Sequence, residues 1–339
     1  MGNNGWMTQE AGRRPNIYDV ATAAGVSKSL VSLVLRGAPG VSPARRAAVE
    51  EAIERLNYRP SRAAATLAGN TSRTIGVVLD DYRNLWFVGL LAGLHEQLAP
   101  LGFRVAVADP SFNAHLDRTP VDGLISLRVD GIVIATEPTE DMFPGLDVPT
   151  VVAGNRDLAV PGADVVANDD VLGGRLAVEH LAGLGHRAIG HITGGGGAAR
   201  LRAQGYEAEM RGRGLRTLMA GGHGQTTESD GYQAALHLLD ENPTLTAIFA
   251  ANDTMALGAA GAARDRGRRI PEDLSLIGYD NSPLASANLL RLTTIDGKNG
   301  EVGAGAAKAL LDRMKDPAAD VRTELVTPEL VVRASTAPA

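Results

Sequence analysis

Polar and aromatic side chains follow several short apolar runs of this 339-residue sequence, in a pattern suited to holding a small ligand. Arginine together with Asp or Asn offers the paired hydrogen bonds that fix neighbouring hydroxyl groups, and an aromatic face covers the apolar side of a sugar ring. Because the chain has only two Trp and five Phe residues, the adjacent Trp86 and Phe87 are informative, although packing against a helix is the alternative role for each. The predicted ligand contacts are Asp81, Asn84, Trp86, Phe87, Asn155, Arg156, Arg202, Asn252 and Asp280.

A second group of polar side chains lies in the segment IYDVATAAGVSKSLVSLVLRG, residues 17–37. The spacing of its apolar residues predicts two short helices around a glycine turn, with Lys28, Ser29 and Ser32 on the outward face of the second helix. Leu33 interrupts this polar face. Its alternative roles are contact with a thymine methyl group in DNA and packing against a third helix.

Capping residues define three helices around this segment. Asn16 and Asp19 can form a capping box at the start of the first helix, and Ser27 can cap the second. Ser42-Pro43 starts a third helix, with proline at its favoured first position. Such an arrangement is a helix-turn-helix unit, whose second helix enters the major groove of DNA. A small helical bundle whose polar face only meets water is the alternative.

The segment NYRPSRAAATLAGNTS, residues 57–72, predicts a short fourth helix from about Arg62 to Ala68. Pro60 breaks the preceding helix, and Ser61 can cap the new one. A helix of about two turns is not stable alone in water, so we expect it to fold only with DNA or a partner present. Leu67 is its one large apolar residue, which suits insertion between base steps in the minor groove. An ordinary linker with a leucine touching the body is the alternative.

Charge is unevenly distributed along the chain, whose formal net charge is −6. Through Arg73 the sequence has ten Lys or Arg residues against five Asp or Glu, and the remainder has 23 against 34. A basic head that meets a polyanion, joined to an acidic body, would explain this asymmetry. A chance cluster of solvated arginines would explain it too.

Composition excludes several kinds of site and segment. The chain has no cysteine, which rules out disulfides and thiolate metal sites. The N-terminus MGNNGWMTQEAGRR has no apolar stretch typical of a signal peptide, and no run of about 18 apolar residues predicts a membrane helix. We therefore expect a soluble, cytoplasmic protein with no membrane partner.

From Thr74 onward, short apolar runs alternate with helical stretches. The strand candidates are residues 74–79, 104–109, 131–136, 150–154, 165–169, 188–193, 215–222, 245–250 and 274–279, and the helical stretches include 86–99, 170–184, 199–213, 230–240 and 253–266. Runs that are apolar on both faces are typical of parallel strands covered by helices, and their number predicts two doubly wound α/β lobes. Ligands bind beyond the carboxyl ends of such strands, where most of the polar residues named above lie.

Several motifs resemble those of the lactose-repressor (LacI/GalR) family of bacterial transcriptional regulators. They are IYDVATAAGVS, LNYRPSR and ATLAG in the head, and NLWF, VEHLAGLGHRAIGHITG, ARLRAQGY, FAANDTMALG, SLIGYDN and LTTI in the body. The resemblance covers about residues 16–334. It implies an α/β fold with an N-terminal helix-turn-helix DNA-binding domain and a two-lobed body like that of the periplasmic sugar-binding proteins.

This resemblance also implies domain boundaries. We expect a disordered N-terminal tail (1–15), a helix-turn-helix DNA-binding domain (16–60), a hinge helix and linker (61–73), and an effector-binding and dimerisation domain (74–334). In the last of these, lobe 1 would span about 74–167 and 297–323, and lobe 2 about 168–296 and 324–334.

The resemblance further assigns roles to single residues. It implies that Arg202, Asn252 and Asp280 hold a small effector, and that Trp86 and Phe87 match the aromatic pair of related sugar binders. After LTTI, many members continue with a glutamine and an aromatic residue, whereas this chain reads DGKNG. One ligand-stacking residue of some relatives is therefore missing, which leaves the identity of the effector open.

Two other functions would require different sequence features. The glycine run in HITGGGGAARLRAQG could cradle a phosphate, but the next strand, LRTLMAGG, ends in glycines and lacks the acidic residue that would bind a ribose. A nucleotide- or cofactor-binding α/β enzyme is therefore the weaker alternative, and we predict no catalytic residue, cofactor or metal. His180, His186 and His191 fit surface or packing roles. A transport-type binding protein would need a signal peptide and would not carry the helix-turn-helix.

The sequence thus predicts a repressor of carbohydrate-metabolism genes that binds a palindromic operator as a homodimer under the control of a small sugar-like effector. Two half-sites a fixed distance apart match two recognition helices. No leucine heptads follow ELVVR, which favours a dimer over a tetramer. Many relatives have arginine or histidine at the position of Leu33, so we expect a different operator preference. The predicted DNA contacts are Tyr18, Ser27, Lys28, Ser29, Ser32, Leu33, Tyr58, Ser61, Arg62 and Leu67.

Overall fold

The computed structural model describes residues 15–35, 37–58, 72–109, 119–143, 147–222 and 225–339. It divides the chain into two compact units, Met1–Ser72 and Arg73–Ala339. The predicted N-terminal tail except Pro15, and the predicted hinge segment except Ser72 and Arg73, lie outside the described residues. The predicted DNA contacts Ser61, Arg62 and Leu67 fall in that part of the chain.

The first unit contains three helices, α1 (Ile17–Ala24), α2 (Lys28–Leu35) and α3 (Pro43–Arg55). The predicted capping box is present, because the Asn16 side chain accepts from the Asp19 N–H while the Asp19 carboxylate accepts from the Asn16 N–H. Gly25 follows α1 in the left-handed conformation, with φ 63°. The axes of α1 and α2 are bent by 103° at this turn, within the range of a helix-turn-helix pair.

A small apolar core holds these three helices together. Val20, Val31 and Val49, one from each helix, are fully buried. Tyr58, which we predicted on the DNA-facing surface, is only 6% exposed and packs into this core. The chain folds back after α3, where the Tyr58 N–H donates to the Ile53 carbonyl, and this places the Tyr58 ring inside the unit. Tyr58 is therefore a core residue of the helix-turn-helix unit.

The second unit has two lobes, and the first is a six-stranded parallel sheet with helices on both faces. Its strands are β1 (Thr74–Val78), β2 (Arg104–Ala108), β3 (Gly131–Ile134), β4 (Thr150–Ala153), β5 (Asp164–Asn168) and β11 (Thr323–Val326). Its helices are α4 (Trp86–Leu98), α5 (Pro120–Ser126) and α10 (Asn299–Lys315). Helices α4 and α10 pack together on one face of the sheet, and α5 covers the other.

The second lobe repeats this architecture. Its strands are β6 (Ile189–Thr193), β7 (Leu218–Gly221), β8 (Ala247–Ala250), β9 (Ser275–Tyr279), β10 (Thr293–Asp296) and β12 (Glu329–Val331). Its helices are α6 (Asp170–Gly183), α7 (Gly197–Gly212), α8 (Glu228–Glu241) and α9 (Asp253–Asp265). All its strand pairs are parallel except β10 with β12. Helices α6 and α7 cover one face of the sheet, and α8 and α9 the other.

Both sheets have the same strand order. The first reads β2-β1-β3-β4-β5 and the second β7-β6-β8-β9-β10, with β11 and β12 added at the edges. In a doubly wound sheet of this order the strand order reverses between the first and third strands, and this leaves a crevice at their carboxyl ends. The loops after β1, β3, β6 and β8 are therefore the places where the topology favours a ligand.

The chain crosses between the lobes after β5, after β10 and after β11. Because β11 pairs with β5 along its whole length, the first lobe continues to Val326. The predicted lobe boundary between residues 323 and 324 thus falls inside β11. This short edge strand, TELV, is mostly exposed and polar, so it lacks the apolar pattern that marks the buried strands.

No single helix among the described residues is long and apolar enough to cross a membrane. Helices α1 and α2 reach that length and composition only when they are counted together across their 103° bend.

Candidate functional site

The first unit presents several of the predicted DNA contacts around the start of α2. Lys28 and Ser29 are exposed in the first turn of the helix, and the Ser27 hydroxyl caps it by accepting from the Leu30 N–H at 3.2 Å. Tyr18 is 61% exposed, and the Lys28 ammonium lies 5.2 Å from the centre of its ring. Tyr18 and Lys28 are thus neighbours on one exposed surface.

Leu33 lies on the outer side of α2 and is 38% exposed. It does not belong to the core that the described residues of this unit form, which buries Val31 and Val34 instead. Ser32 is half-buried. The exposure of Leu33 favours contact with a partner over packing against α3.

In the second unit, a cleft between the lobes gathers most of the predicted effector contacts. It consists of an inner cavity of about 100 Å³ and an adjoining outer cavity of about 410 Å³, which share Asp80, Asn84, Glu137, Gly195, Gly196 and Thr226 in their walls. The inner cavity is also lined by Trp86, Phe87, Arg156, Arg202, Asn252 and Asp280, and the outer one by Asp81. Seven of these nine predictions therefore meet at the inner cavity and one at the outer.

Arg202, in the second turn of α7, is the most heavily bonded side chain of this cleft. Its Nε donates to Asp170 at 2.7 Å, its Nη1 to the Ala251 carbonyl at 2.6 Å, and its Nη2 lies 3.5 Å from Asp280. The guanidinium also stacks 3.6 Å from the centre of the Tyr279 ring. Burial alone would lower the pKa of Arg202, but the carboxylates of Asp170 and Asp280 raise it above its ordinary value. Arg202 is permanently charged and held in one orientation.

Asp280 follows β9 and faces the inner cavity with little exposure. Its φ of 101° is unusual for a residue other than glycine, and such strain is common at binding sites. The Oδ1 atom has no hydrogen-bond partner among the described residues. Burial raises the pKa of Asp280 to about 8, against the opposing effect of Arg202. The carboxyl group therefore keeps one oxygen without a hydrogen bond at the wall of the inner cavity.

The aromatic wall of the inner cavity comes from the start of α4. Trp86 and Phe87 pack edge to face with ring centres 5.1 Å apart, and both belong to the core of the first lobe. The Arg156 guanidinium lies 5.4 Å from the Trp86 ring and donates to the carbonyls of Ala135 and Ala153. Burial lowers the pKa of Arg156. Trp86 and Phe87 therefore combine the two alternative roles, packing in the core and lining the cavity.

Asn155, a predicted ligand contact, is not among the residues that line either cavity. Its amide donates to the Asn168 carbonyl at 2.8 Å and to the Asp170 carboxylate at 2.7 Å. The Asn168 amide donates to the other oxygen of Asp170 and to the Tyr279 hydroxyl. Asp170 in turn accepts from Arg202. Asn155 therefore helps to position Arg202 indirectly, by holding the Asp170 carboxylate in place.

Asn252 lines the cavity, but its polar atoms are already engaged. Its Oδ1 accepts from the Met255 N–H and so caps α9, while its Nδ2 donates to the Thr226 carbonyl.

His180, His186 and His191 have packing roles. His191 is fully buried, and its Nδ1 donates to the Phe249 carbonyl at 2.9 Å. Burial lowers the pKa of His191 to about 4.

Glu137 is a cleft residue that the sequence reasoning missed. It follows β3, and its Oε1 accepts from the Gly197 N–H at 2.7 Å while its Oε2 accepts from the Asp157 N–H at 2.9 Å. Gly197 begins α7 in the opposite lobe, so this carboxylate joins the two lobes across the cleft. The rule that found the other contacts, a polar residue just beyond a strand, also applies to Glu137 and would have found it.

The cleft is rich in charge. The charged residues that line the two cavities are Asp80, Asp81, Glu137, Glu228 and Asp280 on the acidic side, and Arg83, Arg156 and Arg202 on the basic side. Burial raises the pKa of Asp80, with Arg156 opposing the effect. Arg83 forms a paired contact with Asp81 at the mouth of the cleft.

Two family models match parts of the sequence. Residues 16–61 match the model described as "Bacterial regulatory proteins, lacI family", and residues 178–336 match the model of a periplasmic binding protein-like domain. The first match covers the helix-turn-helix unit. The second covers most of the second lobe, together with α10 and β11 of the first lobe.

Individual proteins match over nearly the whole chain. The HTH-type transcriptional regulator CelR of Thermobifida fusca is 33% identical, over 96% of this chain and 99% of its own. Among solved structures, a CelR–cellobiose complex superposes with a TM-score of 0.70 at 31% identity, covering 95% of this chain and all of that one. The lac repressor dimer bound to operator and the anti-inducer ONPF superposes with a TM-score of 0.81 at 29% identity, covering 96% and 100%.

Proposed function

The chain belongs to the lacI family of bacterial regulatory proteins, and on this premise we propose that it is a homodimeric repressor whose binding to a palindromic operator is controlled by a small sugar-like effector. The genes that it controls would belong to carbohydrate metabolism. Such a regulator acts in the bacterial cytoplasm, on the nucleoid while it is bound to its operator. The proposal assigns no catalytic residue and no cofactor.

The observation that best supports this proposal is that one chain combines a helix-turn-helix unit with a cleft. The cleft lies where the strand order reverses in two doubly wound sheets. The first element is suited to reading DNA and the second to holding a small ligand. Lys28 and Ser29 stand exposed at the end of α2 that enters the major groove, and Tyr18 flanks them. The lac repressor, which superposes over 96% of this chain, supports two copies on one operator.

The proposed effector site is the inner cavity. Arg202 and Asp280 offer hydrogen bonds to hydroxyl groups, and Trp86 offers an aromatic face. The bound cellobiose of the CelR complex, a relative over nearly the full length, supports a carbohydrate. The sequence DGKNG runs from the last residue of β10 into the start of α10 and so contains the second crossing between the lobes, where the Lys298 ammonium pairs with Glu329.

Operator binding is tested by selecting binding sites from a random DNA pool with the full chain. We expect a two-fold symmetric sequence with half-sites about one helical turn or a multiple of it apart. The double variant Lys28→Ala/Ser29→Ala should select no sequence while it keeps the helical content of the parent. Selection of the same sequence by both proteins would contradict the assignment of α2.

Effector binding is tested by thermal shift against a library of sugars and nucleosides, followed by calorimetry. A ligand of the folded state raises the melting temperature by mass action. Trp86→Ala should weaken binding of the best ligand at least tenfold, whereas Trp6→Ala, the other tryptophan, is the matched control. A ligand that binds both variants with the affinity of the parent does not use the inner cavity.

A further inference from the structure

The glycine run GGGG at residues 194–197 joins β6 to α7 and faces the opposite lobe. A Cβ atom on Gly196 would lie 2.7 Å from Glu137 Oε1, and one on Gly197 would lie 2.6–2.9 Å from the backbone of Arg156. Gly196 also has φ 89°, which other residues rarely adopt. Glycine at these two positions therefore allows the first lobe to come within hydrogen-bond distance of the start of α7.

The group that lies beside the start of α7 is a carboxylate of the chain itself. Helix α7 has no side-chain cap of its own, and Glu137 supplies one from the other lobe by accepting from the Gly197 N–H. The N-terminus of a helix attracts anions, because its free N–H groups and the helix dipole both favour negative charge. A phosphate group of a ligand would compete for the same N–H groups, and the nearby negative charge of Glu137 would repel it.

The charged groups that line the rest of the cleft are mostly acidic, which disfavours a phosphate. Five carboxyl groups line the two cavities against three guanidinium groups. Two of these guanidinium groups are paired with carboxylates, Arg83 with Asp81 and Arg202 with Asp170. Arg156 donates through one nitrogen to two backbone carbonyls, and its Nε has no partner among the described residues. An uncharged polyhydroxyl ligand meets no such repulsion, and carboxylates are good acceptors for its hydroxyl groups.

We propose that the effector is an uncharged polyhydroxylated compound and that Glu137 is the specificity-determining residue that excludes its phosphorylated forms. This inference rests on the proposed function of the cleft as the effector site. Specificity of this kind comes from a repulsive group that acts against the wrong ligand as well as from contacts to the right one.

The first test needs no knowledge of the effector and uses inorganic phosphate as the probe. Calorimetry on the full chain compares the parent with Glu137→Gln, Glu137→Asp and Glu179→Gln. We expect Glu137→Gln to bind phosphate at least tenfold more tightly than the parent. Glu137→Asp keeps the charge, and Glu179→Gln removes an exposed carboxylate of α6 that lines neither cavity, so both should stay within about twofold of the parent.

Two results of this test would overturn the inference. One is equal phosphate affinity in the parent and in Glu137→Gln, and the other is an equal gain in Glu179→Gln, which would indicate a general effect of net charge. Circular dichroism establishes that each variant is folded. If Glu137→Gln does not fold, Glu137→Ala removes the same charge and takes its place in the comparison.

The second test compares sugars with their own phosphate esters on the parent protein. We expect every ester to bind at least tenfold more weakly than its parent sugar, and an ester that binds more tightly overturns the inference while leaving the proposed effector site in place. If no sugar of either kind binds, the proposed carbohydrate effector is wrong, and the phosphate comparison still decides the role of Glu137.

Discussion

At the scale of single residues, helix α2 exposes two leucines, Leu33 and Leu35, among its polar side chains. Leu33 is 38% exposed and lies outside the core of its unit, so its side chain is available to a groove of DNA. An apolar side chain can discriminate bases only through contacts such as that with the thymine methyl group. We infer that Leu33 sets one position of each operator half-site.

Leu33→Arg should therefore change base preference at one position of each half-site, towards guanine, by about 1–3 kcal/mol. The other positions should keep their preference, because Lys28 and Ser29 are unchanged. Selection on a library of half-sites measures this directly. Leu35→Arg is the matched control. Leu35 is 36% exposed in the same helix, but it lies two residues after Leu33 and therefore points to a different side of the helix axis. A change at all positions, or in both variants alike, would place α2 differently on DNA.

Asp280 illustrates the energetic cost of a site prepared for a ligand. Its pKa is raised by burial to about 8, from the ordinary value of 3.8. Between these two values the folded protein holds a proton that the unfolded chain lacks, so the free energy of unfolding falls as pH rises through this window.

Asp280→Asn should remove this pH dependence. One proton contributes a slope of up to about 1.4 kcal/mol per pH unit. Between pH 6 and 8 the free energy of unfolding of the parent should fall by about 2–3 kcal/mol more than that of the variant. Urea unfolding at both pH values measures the difference, with Asp157→Asn, an exposed carboxylate near the cleft, as the control. Parallel pH curves for the parent and Asp280→Asn would show that Asp280 is ionised throughout.

At the scale of secondary-structure elements, the position of Arg202 depends on how closely α6 and α7 approach. A Cβ atom on Gly174 of α6 would lie 2.2 Å from the Arg202 carbonyl, and one on Gly205 of α7 would lie 2.1 Å from the Val171 carbonyl. The two helices thus touch backbone to backbone at these glycines. This contact brings Asp170, at the start of α6, within 2.7 Å of Arg202.

Gly205→Ala should separate the helices and weaken the pair between Asp170 and Arg202. We expect the free energy of unfolding to fall by about 1–3 kcal/mol, as for other overpacked cores, together with a loss of effector affinity. Gly212→Ala is the matched control in the same helix, since an added Cβ there meets nothing within 4 Å. It should be neutral or stabilising by up to about 1 kcal/mol. Urea unfolding compares the two, and equal stability would show that the backbone contact is not required.

At the scale of the whole molecule, the two binding activities that we propose belong to parts of the chain with opposite net charge. The first 73 residues carry a net positive charge and the rest a net negative one. Binding of DNA by the basic part releases counterions, whereas an uncharged ligand in the cleft releases none.

Operator affinity should therefore fall by about 10³-fold or more between 50 and 200 mM salt, if a dimer contacts at least six phosphates. Effector affinity should change less than about twofold over the same range. Fluorescence anisotropy on labelled operator and calorimetry with the effector measure the two. A strong salt dependence of effector binding would indicate a charged ligand and count against the proposed exclusion of phosphate.

Much of the fold could be predicted from the sequence, because local patterns carry it. The caps at Asn16 and Ser27, the turn at Gly25 and the apolar runs of the buried strands each act within a few residues. Helix α10 was not predicted, since its glycines weaken the helical pattern. Those glycines are needed for close packing, as a Cβ atom on Gly303 would lie 2.1 Å from the Leu90 carbonyl.

Local sequence patterns were enough to predict the class of most elements and the set of side chains that follow the strands. Which of those side chains reach the cavity depends on contacts between distant segments, so it could be seen only in the folded molecule. Asn155 is drawn aside by Asp170, Tyr58 is buried in the helix-turn-helix core, and Glu137 reaches across to α7 in the other lobe. Each of these outcomes depends on a partner that local spacing does not reveal.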